Sequence, residues 1–462
     1  MASAKSSSTA IAATPAAGAK GTSGNVFKRT LTVRDMVVYG LISMVPISPF
    51  PIYASVFDVS GGMPTLTYLI TLGAMLLTVL SFCMMIPRFQ TSGSIFSYVS
   101  GGMGKGLGFI AGWLMLLQYL VYPVLVYIMG GEALNQYFPA IPTWGWCLMF
   151  LALVTFVALR GMQTTMVVNK IALAGEIIVL LLFLGFGVYY VVAHPDTGGF
   201  TATALVNPKK LDLGSTLSAS ALAAQSFVGF GCVATLTQEA KDGKRGPGKA
   251  MLIMVLLLGF LFALQCYVAT CVDPSGKLFA GDETNGFYLI ARLIAGPWLE
   301  LVCVLAVALS QGIFTGLVNV VSVSRIIFTM GKTNALSKVF TRFDEKTSTP
   351  YIAVAFVCVV SLGLLPIMLA LGLDKVADIS NFGALSTYFL LNICVVWYFR
   401  RKLKEKGRIL RTIVCPLVGA AIIVLVLSYA DTIAIIIGLC WIVVGVVYYL
   451  VATRLLHRKI EL

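Results

Sequence analysis

Twelve apolar segments run through the chain of 462 residues, and they constrain its fold more than any other feature. Each is near or above the roughly 20 residues that an α-helix needs to cross about 30 Å of hydrocarbon. Hydrophobic residues make up 58% of the chain, charged residues only 11%, and the mean hydropathy is +0.93. The sequence therefore predicts an all-α polytopic membrane protein with twelve transmembrane helices. The segments lie at about 33–57, 65–86, 107–131, 143–160, 166–192, 215–240, 249–272, 298–330, 350–371, 377–399, 412–429 and 432–455.

Lysine and arginine residues concentrate in every second loop. They follow the second, fourth, sixth, eighth and tenth segments, for example Arg88 and Lys105 after the second and Arg400 to Lys402 after the tenth. Because short basic loops stay on the cytoplasmic side, we expect a multi-pass protein of the cell (cytoplasmic) membrane with both termini in the cytoplasm. The formal charge of +14 is then an orientation signal, and we expect no nucleic-acid partner.

The polar residues argue against several other activities. The ten cysteines show no disulfide or metal spacing, so we expect no metal and no cofactor. No H-E-x-x-H or Ser/His/Asp grouping lies in an apolar segment, and no G-x-x-x-x-G-K-[ST] loop occurs, so neither a hydrolase nor an ATP-driven pump is expected. A channel would need a continuous polar pore, and a ligand sensor on a transporter fold would need an output domain, for which the tails are too short.

Two apolar segments are interrupted. In the first segment, Pro46, Pro49 and Pro51 fall within a stretch of six residues. Each proline removes an amide donor, and its ring clashes with the carbonyl one turn back. In the sixth, two glycines flank Phe230 within Ser226–Gly231. Unpaired backbone is costly in hydrocarbon unless it lines an enclosed cavity, so both breaks indicate a binding site. The alternative for the glycines is close packing between helices.

The interrupted segments occupy matching places. If 27–192 and 215–399 are two five-helix repeats, each begins with a broken helix, and the halves have inverted topology. An external loop, 193–214, joins them; 400–462 holds the last two helices and a short cytoplasmic tail, and 1–26 is a disordered cytoplasmic tail. Broken helices expose amides at one half-helix end and carbonyls at the other, which together suit a zwitterionic amino acid.

Five stretches, in order, resemble motifs of the amino acid–polyamine–organocation (APC) superfamily. In the first of these stretches, Arg88–Tyr98, Gln90 and Phe96 stand where the family motif has proline and tyrosine. The resemblance covers nearly all of 27–455 and implies a LeuT-type five-plus-five inverted repeat with discontinuous helices 1 and 6, a secondary active permease, and alternating access. The stretches are Arg88–Tyr98, Gly112-Trp113, Ser226–Glu239 with Pro247, Ser322–Arg325 with Met330–Lys332, and Asn381–Leu385.

Within the superfamily the chain is most similar to Puu-type putrescine importers. These carry acidic residues at three places where this chain has Pro51, Gln118 and Gly231. Burying an unpaired ammonium group is expensive, so the missing carboxylates argue against a diamine. We therefore expect symport of a neutral amino acid across the membrane by a monomer or homodimer. The alternatives are a polyamine (putrescine) importer and an amino acid exchanger.

The resemblance and the two breaks define the candidate site residues. Phe230 and Glu239 are also candidate gate residues, Glu239 at the inner side with Arg34 or Arg88. Glu132, near the external end of the third segment, is expected to be an interfacial residue. The candidate substrate-binding residues are Pro46, Ile47, Ser48, Pro49, Gln118, Tyr119, Phe227, Val228, Gly229, Phe230 and Gly231.

Glu176 is the candidate coupling residue. It lies about ten residues into the fifth segment, where a charge is costly and therefore functional or paired. Some proton-coupled members of the superfamily that this chain resembles have a lysine at the matching position. The resemblance therefore implies H⁺ as the coupling ion. The alternatives are a structural partner for Lys170 or a neighbouring helix and, for the ion, Na⁺ bound by hydroxyls of Ser48, Ser310 and Thr315.

Overall fold

The structure is a computed structural model that describes residues 29–89, 94–160, 162–195, 199–208, 210–281, 285–344, 347, 349–404 and 407–455. Side chains are described throughout these ranges except for 162–169 and 455. The predicted disordered tail, 1–26, and Gln90 of the first family motif lie outside the described residues.

Helices account for nearly all of the regular structure within these ranges, which confirms the predicted all-α class. The α-helices are α1 (Val33–Met44), α2 (Tyr53–Val59), α3 (Pro64–Met85), α4 (Ser94–Met103), α5 (Lys105–Tyr137), α6 (Thr143–Leu159), α7 (Met162–Ala193), α8 (Leu213–Ala224), α9 (Gly246–Val272), α10 (Gly286–Ala295), α11 (Pro297–Leu309), α12 (Gly316–Lys332), α13 (Tyr351–Leu371), α14 (Leu373–Trp397), α15 (Cys415–Leu427) and α16 (Thr432–Leu450).

Ten helical stretches in the described part of the chain are long and apolar enough to cross a membrane. Two of the twelve predicted spans are not among them. The first is divided into Val33–Met44 and Phe50–Val59. The fourth, Thr143–Leu159, has 17 residues and is about 26 Å long, slightly less than the hydrocarbon thickness. Membrane spanning by many helices is therefore supported, and the count of twelve stays a prediction.

Two helices that begin on opposite sides of the molecule start with a side-chain cap. Thr32 and Asp35 form a capping box at α1: the Asp35 amide donates to Thr32 Oγ1 over 3.3 Å, and the Thr32 amide donates to Asp35 Oδ2 over 3.1 Å. Asp212 caps α8, where the hydrogen bond from the Ser215 amide lowers the pKa of the Asp212 carboxyl. We call the side at which α1 begins the inner face and the opposite side the outer face.

The long helix α5 runs through the centre of the molecule and packs against α14, α4, α6, α12 and α16. Its attachment to α16 is reciprocal. Trp113 Nε1 donates to the Trp441 carbonyl over 2.8 Å, and Trp441 Nε1 donates to the Trp113 carbonyl over 2.7 Å. The two indoles stack with centroids 4.8 Å apart. This tryptophan pair anchors α16, most of whose apolar surface faces outward.

Candidate functional site

The predicted interruption of the first segment is present. The α-helix α1 ends at Met44, and Val45 has a positive φ of 56°. A turn then leads to a short 3₁₀ helix, Phe50–Ile52, before α2. A β-branched residue with positive φ is uncommon and is held there only by its surroundings. Every residue from Leu41 to Phe50 is buried. The predicted residues Pro46, Ile47, Ser48 and Pro49 therefore form a non-helical stretch inside the protein.

Side chains from other helices bind carbonyls at this break. Gln265 of α9 donates from Nε2 to the Pro46 carbonyl and to the Leu261 carbonyl, both over 3.1 Å. Thr315 Oγ1 donates to the carbonyl of Ile42 over 3.4 Å. Buried carbonyls that lose their helical donors need such partners. Gln265 was not among the residues predicted from the sequence; a glutamine in the apolar α9 is the signal that could have indicated it.

The sixth segment differs from the predicted open break. After α8 the chain continues from Gln225 to Glu239 as a 3₁₀ helix, and all of these residues except Gln238 are buried. Runs of 3₁₀ helix longer than three or four residues are uncommon, because the hydrogen-bond geometry is poorer than in an α-helix. The local change is thus a tighter winding with backbone bonds retained, whereas the glycine pattern had predicted free amides and carbonyls.

Gly229 is the point at which the two interrupted elements meet. Ser43, in the last turn of α1, donates from Oγ to the Gly229 carbonyl over 3.0 Å. A Cβ on Gly229 would lie 2.1 Å from the Ser43 carbonyl oxygen, so only glycine permits this approach. Gly231 has more room, since an added Cβ would be 3.4 Å from Tyr388 Oη and 3.6 Å from Tyr119 Oη. Close packing, the alternative for the glycines, therefore accounts for Gly229.

Tyrosines from α5 and α14 complete this junction. Tyr388 donates to the Val228 carbonyl over 3.1 Å, and its ring stacks on Phe230 with centroids 5.0 Å apart. Tyr119 Oη and Cys232 Sγ are 3.6 Å apart and form a hydrogen bond. The sequence indicated Tyr119 but not Tyr388. We refer below to these contacts between α1, 225–239, α5 and α14 as the junction.

The remaining predicted residues lie at or near the junction. Phe230, a predicted gate, is fully buried and packs edge-on against Phe82 at 5.8 Å. Phe227 points elsewhere, with its ring edge-on to Phe262 at 5.3 Å. Gln118 is buried where α5 contacts α14. The two helices approach closely there: a Cβ added to Gly383 of α14 would lie 2.8 Å from the backbone nitrogen of Gln118. These positions leave the binding role of each residue a prediction.

Glu176 is buried in α7 and bonded to another helix. Ser310 Oγ donates to Glu176 Oε1, and Glu176 Oε2 is buried with no hydrogen-bond partner in the described part of the chain. Lys170 pairs instead with Asp35 over 3.4 Å, so it is not the partner of Glu176. Among the described side chains, no three His, Cys, Asp or Glu residues come together as metal ligands would.

Ser310 and Thr315 bound a π-helical segment between α11 and α12. One end of this segment thus reaches Glu176, and the other end reaches Ile42 beside the break of α1. Of the three hydroxyls predicted as Na⁺ ligands, those of Ser310 and Thr315 are therefore each bonded to a different oxygen. π-Helical turns are rare in proteins, and those that occur are often found at functional sites.

The inner face is closed around Glu239. Its carboxylate forms a buried ion pair with Arg325 of α12, whereas Arg34 and Arg88 had been predicted as its partners. Its carbonyl accepts from the amides of Thr30 and Leu31 over 3.1 and 2.9 Å. The segment preceding α1 is thereby fastened to the end of 225–239. The pairing with Arg325 could have been suspected from its place in a family motif.

An aromatic cluster covers the outer side of the α1 break. Phe50 stacks on Phe287 of α10 with centroids 3.8 Å apart, and Phe183 of α7 lies 4.2 Å from Phe287. Tyr53 packs edge-on against Phe287 at 5.6 Å, and its hydroxyl bonds Thr270 over 3.0 Å. Thr270 in turn lines an open cavity of about 450 Å³ on the outer face. The break is therefore separated from this cavity by packed rings.

Comparison with known proteins shows one family over almost the whole chain. The profile of a family described as amino acid permease matches residues 36–458. The chain is 23% identical to the low-affinity putrescine importer PlaP of Escherichia coli (strain K12), with 92% of this chain and 94% of PlaP covered. It is also 23% identical to the branched-chain amino acid permease BcaP of Bacillus subtilis (94% and 95% covered) and 22% identical to that organism's methylthioribose transporter (92% and 94% covered).

Proposed function

The chain belongs to the amino acid permease family, and from this premise we propose that it is a secondary active transporter that imports a neutral amino acid with protons by alternating access. The observation that carries the proposal is the buried break of α1 joined to 225–239 at Gly229. Irregular backbone at membrane depth is tolerated where protein encloses it or where it lines a cavity. Interrupted helices at matching places are the usual location of a transporter's substrate site.

The residues of the junction support a substrate without net charge. The side chains that contribute there are neutral, namely those of Ser43, Tyr119, Cys232 and Tyr388. The carbonyls of Val228 and Gly229, and that of Pro46 at the α1 break, each accept one side-chain hydrogen bond and keep a second lone pair for an ammonium group. A diamine would bring two charges into this region, and each would need a carboxylate close by. A zwitterion requires only the dipoles of backbone groups and hydroxyls.

Glu176 supports coupling to protons. A carboxyl group buried without a basic partner is stable in its protonated form and costly in its charged form. When protonated, it can donate a hydrogen bond; when charged, it can only accept. A change in its protonation therefore changes its contact with Ser310. The π-helical segment Ser310–Thr315 extends from this contact to Ile42, so a change in the contact between Glu176 and Ser310 can shift the α1 break.

Uptake by purified protein in proteoliposomes tests this function. Labelled neutral amino acids and putrescine are supplied with an inward proton gradient, an inward sodium gradient, or neither. We expect saturable uptake of a neutral amino acid that the proton gradient stimulates. Glu176→Gln should abolish the stimulation but retain exchange across the membrane. Glu300→Gln, which alters a carboxylate paired with Arg292 at the outer face, is the control and should keep the stimulation.

Similarity to PlaP favours a second candidate, a putrescine importer. Uptake of putrescine without uptake of any amino acid would replace the first proposal by the second. Exchange that no gradient stimulates would indicate an amino acid exchanger, and the role of Glu176 would then be structural. Stimulation by sodium alone would contradict proton coupling.

A further inference from the structure

A second acidic side chain, Glu132, lines a small cavity at the outer end of α5. The cavity measures about 20 Å³, which is enough for one water-sized group. Gln136 lies one turn further along the same face of α5. Pro51, directly after the α1 break, Tyr288 of α10 and Leu373 of α14 form the other walls. Four elements therefore enclose a space beside the outer end of the break.

The walls of this cavity carry unused acceptors. Tyr288 is 3% exposed, and its hydroxyl has no hydrogen-bond partner among the residues that the structure describes. Glu132 is half-buried, and within the same ranges no basic side chain forms an ion pair with it. Asp374 at the start of α14 adds a second negative charge that acts on Glu132, whereas the nearby Arg292 is paired with Glu300 over 3.8 Å.

We propose that this cavity binds the primary ammonium group of the incoming substrate before the substrate reaches the junction. An ammonium group has three donors and no acceptor. The cavity offers it the Glu132 carboxylate, the Tyr288 oxygen and the amide oxygen of Gln136, in a space that excludes larger cations. Charge-assisted hydrogen bonds of this kind are about twice as strong as neutral ones.

The outer cavity is distinct from the junction. Glu132 lies 14 positions beyond Gln118 on the same helix, a distance of about 21 Å. A small amino acid cannot reach both places at once, so it occupies them in succession. This proposal rests on the proposed function, and it adds a selection step for substrates with an unsubstituted amine.

Transport kinetics give the first test. In proteoliposomes, Glu132→Gln should raise KM for the transported amino acid about tenfold and leave kcat unchanged, because the lost contact precedes translocation. Tyr288→Phe, which keeps the ring, should raise KM by a smaller factor. The control Glu300→Gln, whose carboxylate is already paired, should not alter KM. An unchanged KM in Glu132→Gln would overturn the proposal.

Chemical modification gives a test that does not depend on transport. The purified full chain is treated with a water-soluble carbodiimide and glycine ethyl ester. Peptide mass spectrometry quantifies the unmodified Glu132, so that amides formed with glycine ethyl ester and with ethylamine both count as modification. Ethylammonium chloride should protect Glu132 at least threefold better than sodium chloride or tetramethylammonium chloride at equal ionic strength. Tyr288→Phe should weaken this protection.

Each result distinguishes the outer cavity from the proposed function. Equal protection by all three salts would mean charge screening, and protection by sodium alone would mean an inorganic cation site; either would overturn the ammonium assignment. Selective protection without uptake of any amino acid would support the cavity and contradict the proposed function. Uptake of a neutral amino acid with a normal KM in Glu132→Gln, together with no selective protection, would support the proposed function and contradict the outer cavity as an ammonium site.

Discussion

Gly229 lies against the main chain of α1, whereas Gly231 faces two tyrosine hydroxyls. The first contact is between two backbones and leaves no room for adjustment. The second involves side-chain atoms at ordinary van der Waals distance. Two glycines that are two positions apart therefore carry different constraints, and a substitution at each separates packing from space for a substrate.

Gly229→Ala is expected to impair the protein far more than Gly231→Ala. A methyl group at 229 would lie 2.1 Å from the Ser43 carbonyl oxygen and would force α1 away from 225–239. Overpacking of this kind costs about 1–3 kcal/mol of unfolding free energy. Thermal unfolding in detergent, followed by tryptophan fluorescence, should show a lower midpoint for Gly229→Ala and little change for Gly231→Ala. Equal midpoints for the two variants would contradict this assignment.

The inner face holds a buried ion pair in which each charge depends on one partner residue. Glu239 and Arg325 are both buried and bonded to each other. Removing one partner of a buried pair leaves an uncompensated charge, which costs more than the pair itself contributes. Any opening of the inner face by separation of these elements must therefore provide water or another partner for both groups.

The elements of the site are held in unusual conformations by contacts from distant parts of the sequence. Gln265 binds the α1 break from 219 positions away. The π-helical segment between α11 and α12 reaches both Glu176 and Ile42. A broken helix keeps its shape only while such partners occupy its free carbonyls. The site is thus organised by α9 and the π-helical segment as much as by the broken elements.

Gln265→Leu tests the support of the α1 break. The change keeps a similar volume and leaves the Pro46 carbonyl without its donor, at a cost of about 1–3 kcal/mol. Because that carbonyl belongs to the α1 break beside the junction, we expect KM for the amino acid to rise about tenfold. Asn392→Leu is the matched control: Asn392 is fully buried, accepts from Ser81 and donates to Thr78, and lies on α14 away from the break. The control should lower stability without raising KM, and an equal rise in both variants would exclude a specific role for Gln265.

At the scale of the whole molecule, the sequence predicted the class of protein and the place of both irregular elements. Prolines at 46, 49 and 51 interrupt a helix whatever surrounds them, so the first break could be predicted from the sequence alone. Glycines at 229 and 231 allow several conformations, and the 3₁₀ winding depends on Ser43 and Tyr388, which are far away in the sequence. Long-range pairs such as Glu239 with Arg325 could not be derived from spacing, because no periodicity links them.

The loop charges predict the orientation of the molecule, and this prediction has a direct test. Alkaline phosphatase, which is active only outside the cytoplasm, is fused after Leu462 or inserted after Asn207. We expect no activity from the first fusion and high activity from the second, because basic loops remain in the cytoplasm. A cytoplasmic fluorescent protein at the same positions should show the opposite pattern. Activity of the terminal phosphatase fusion would reverse the assignment of inner and outer faces.

The reciprocal bonds between Trp113 and Trp441 predict that transport depends on bilayer thickness. Helix α16 is apolar and packs only a small part of its surface against the rest of the molecule, so a thicker or thinner membrane would change its tilt. Through the tryptophan pair that tilt is passed to α5, which carries Gln118 at the junction and Glu132 at the outer cavity. We therefore expect acyl-chain length in the surrounding membrane to alter the alignment of the junction and the outer cavity.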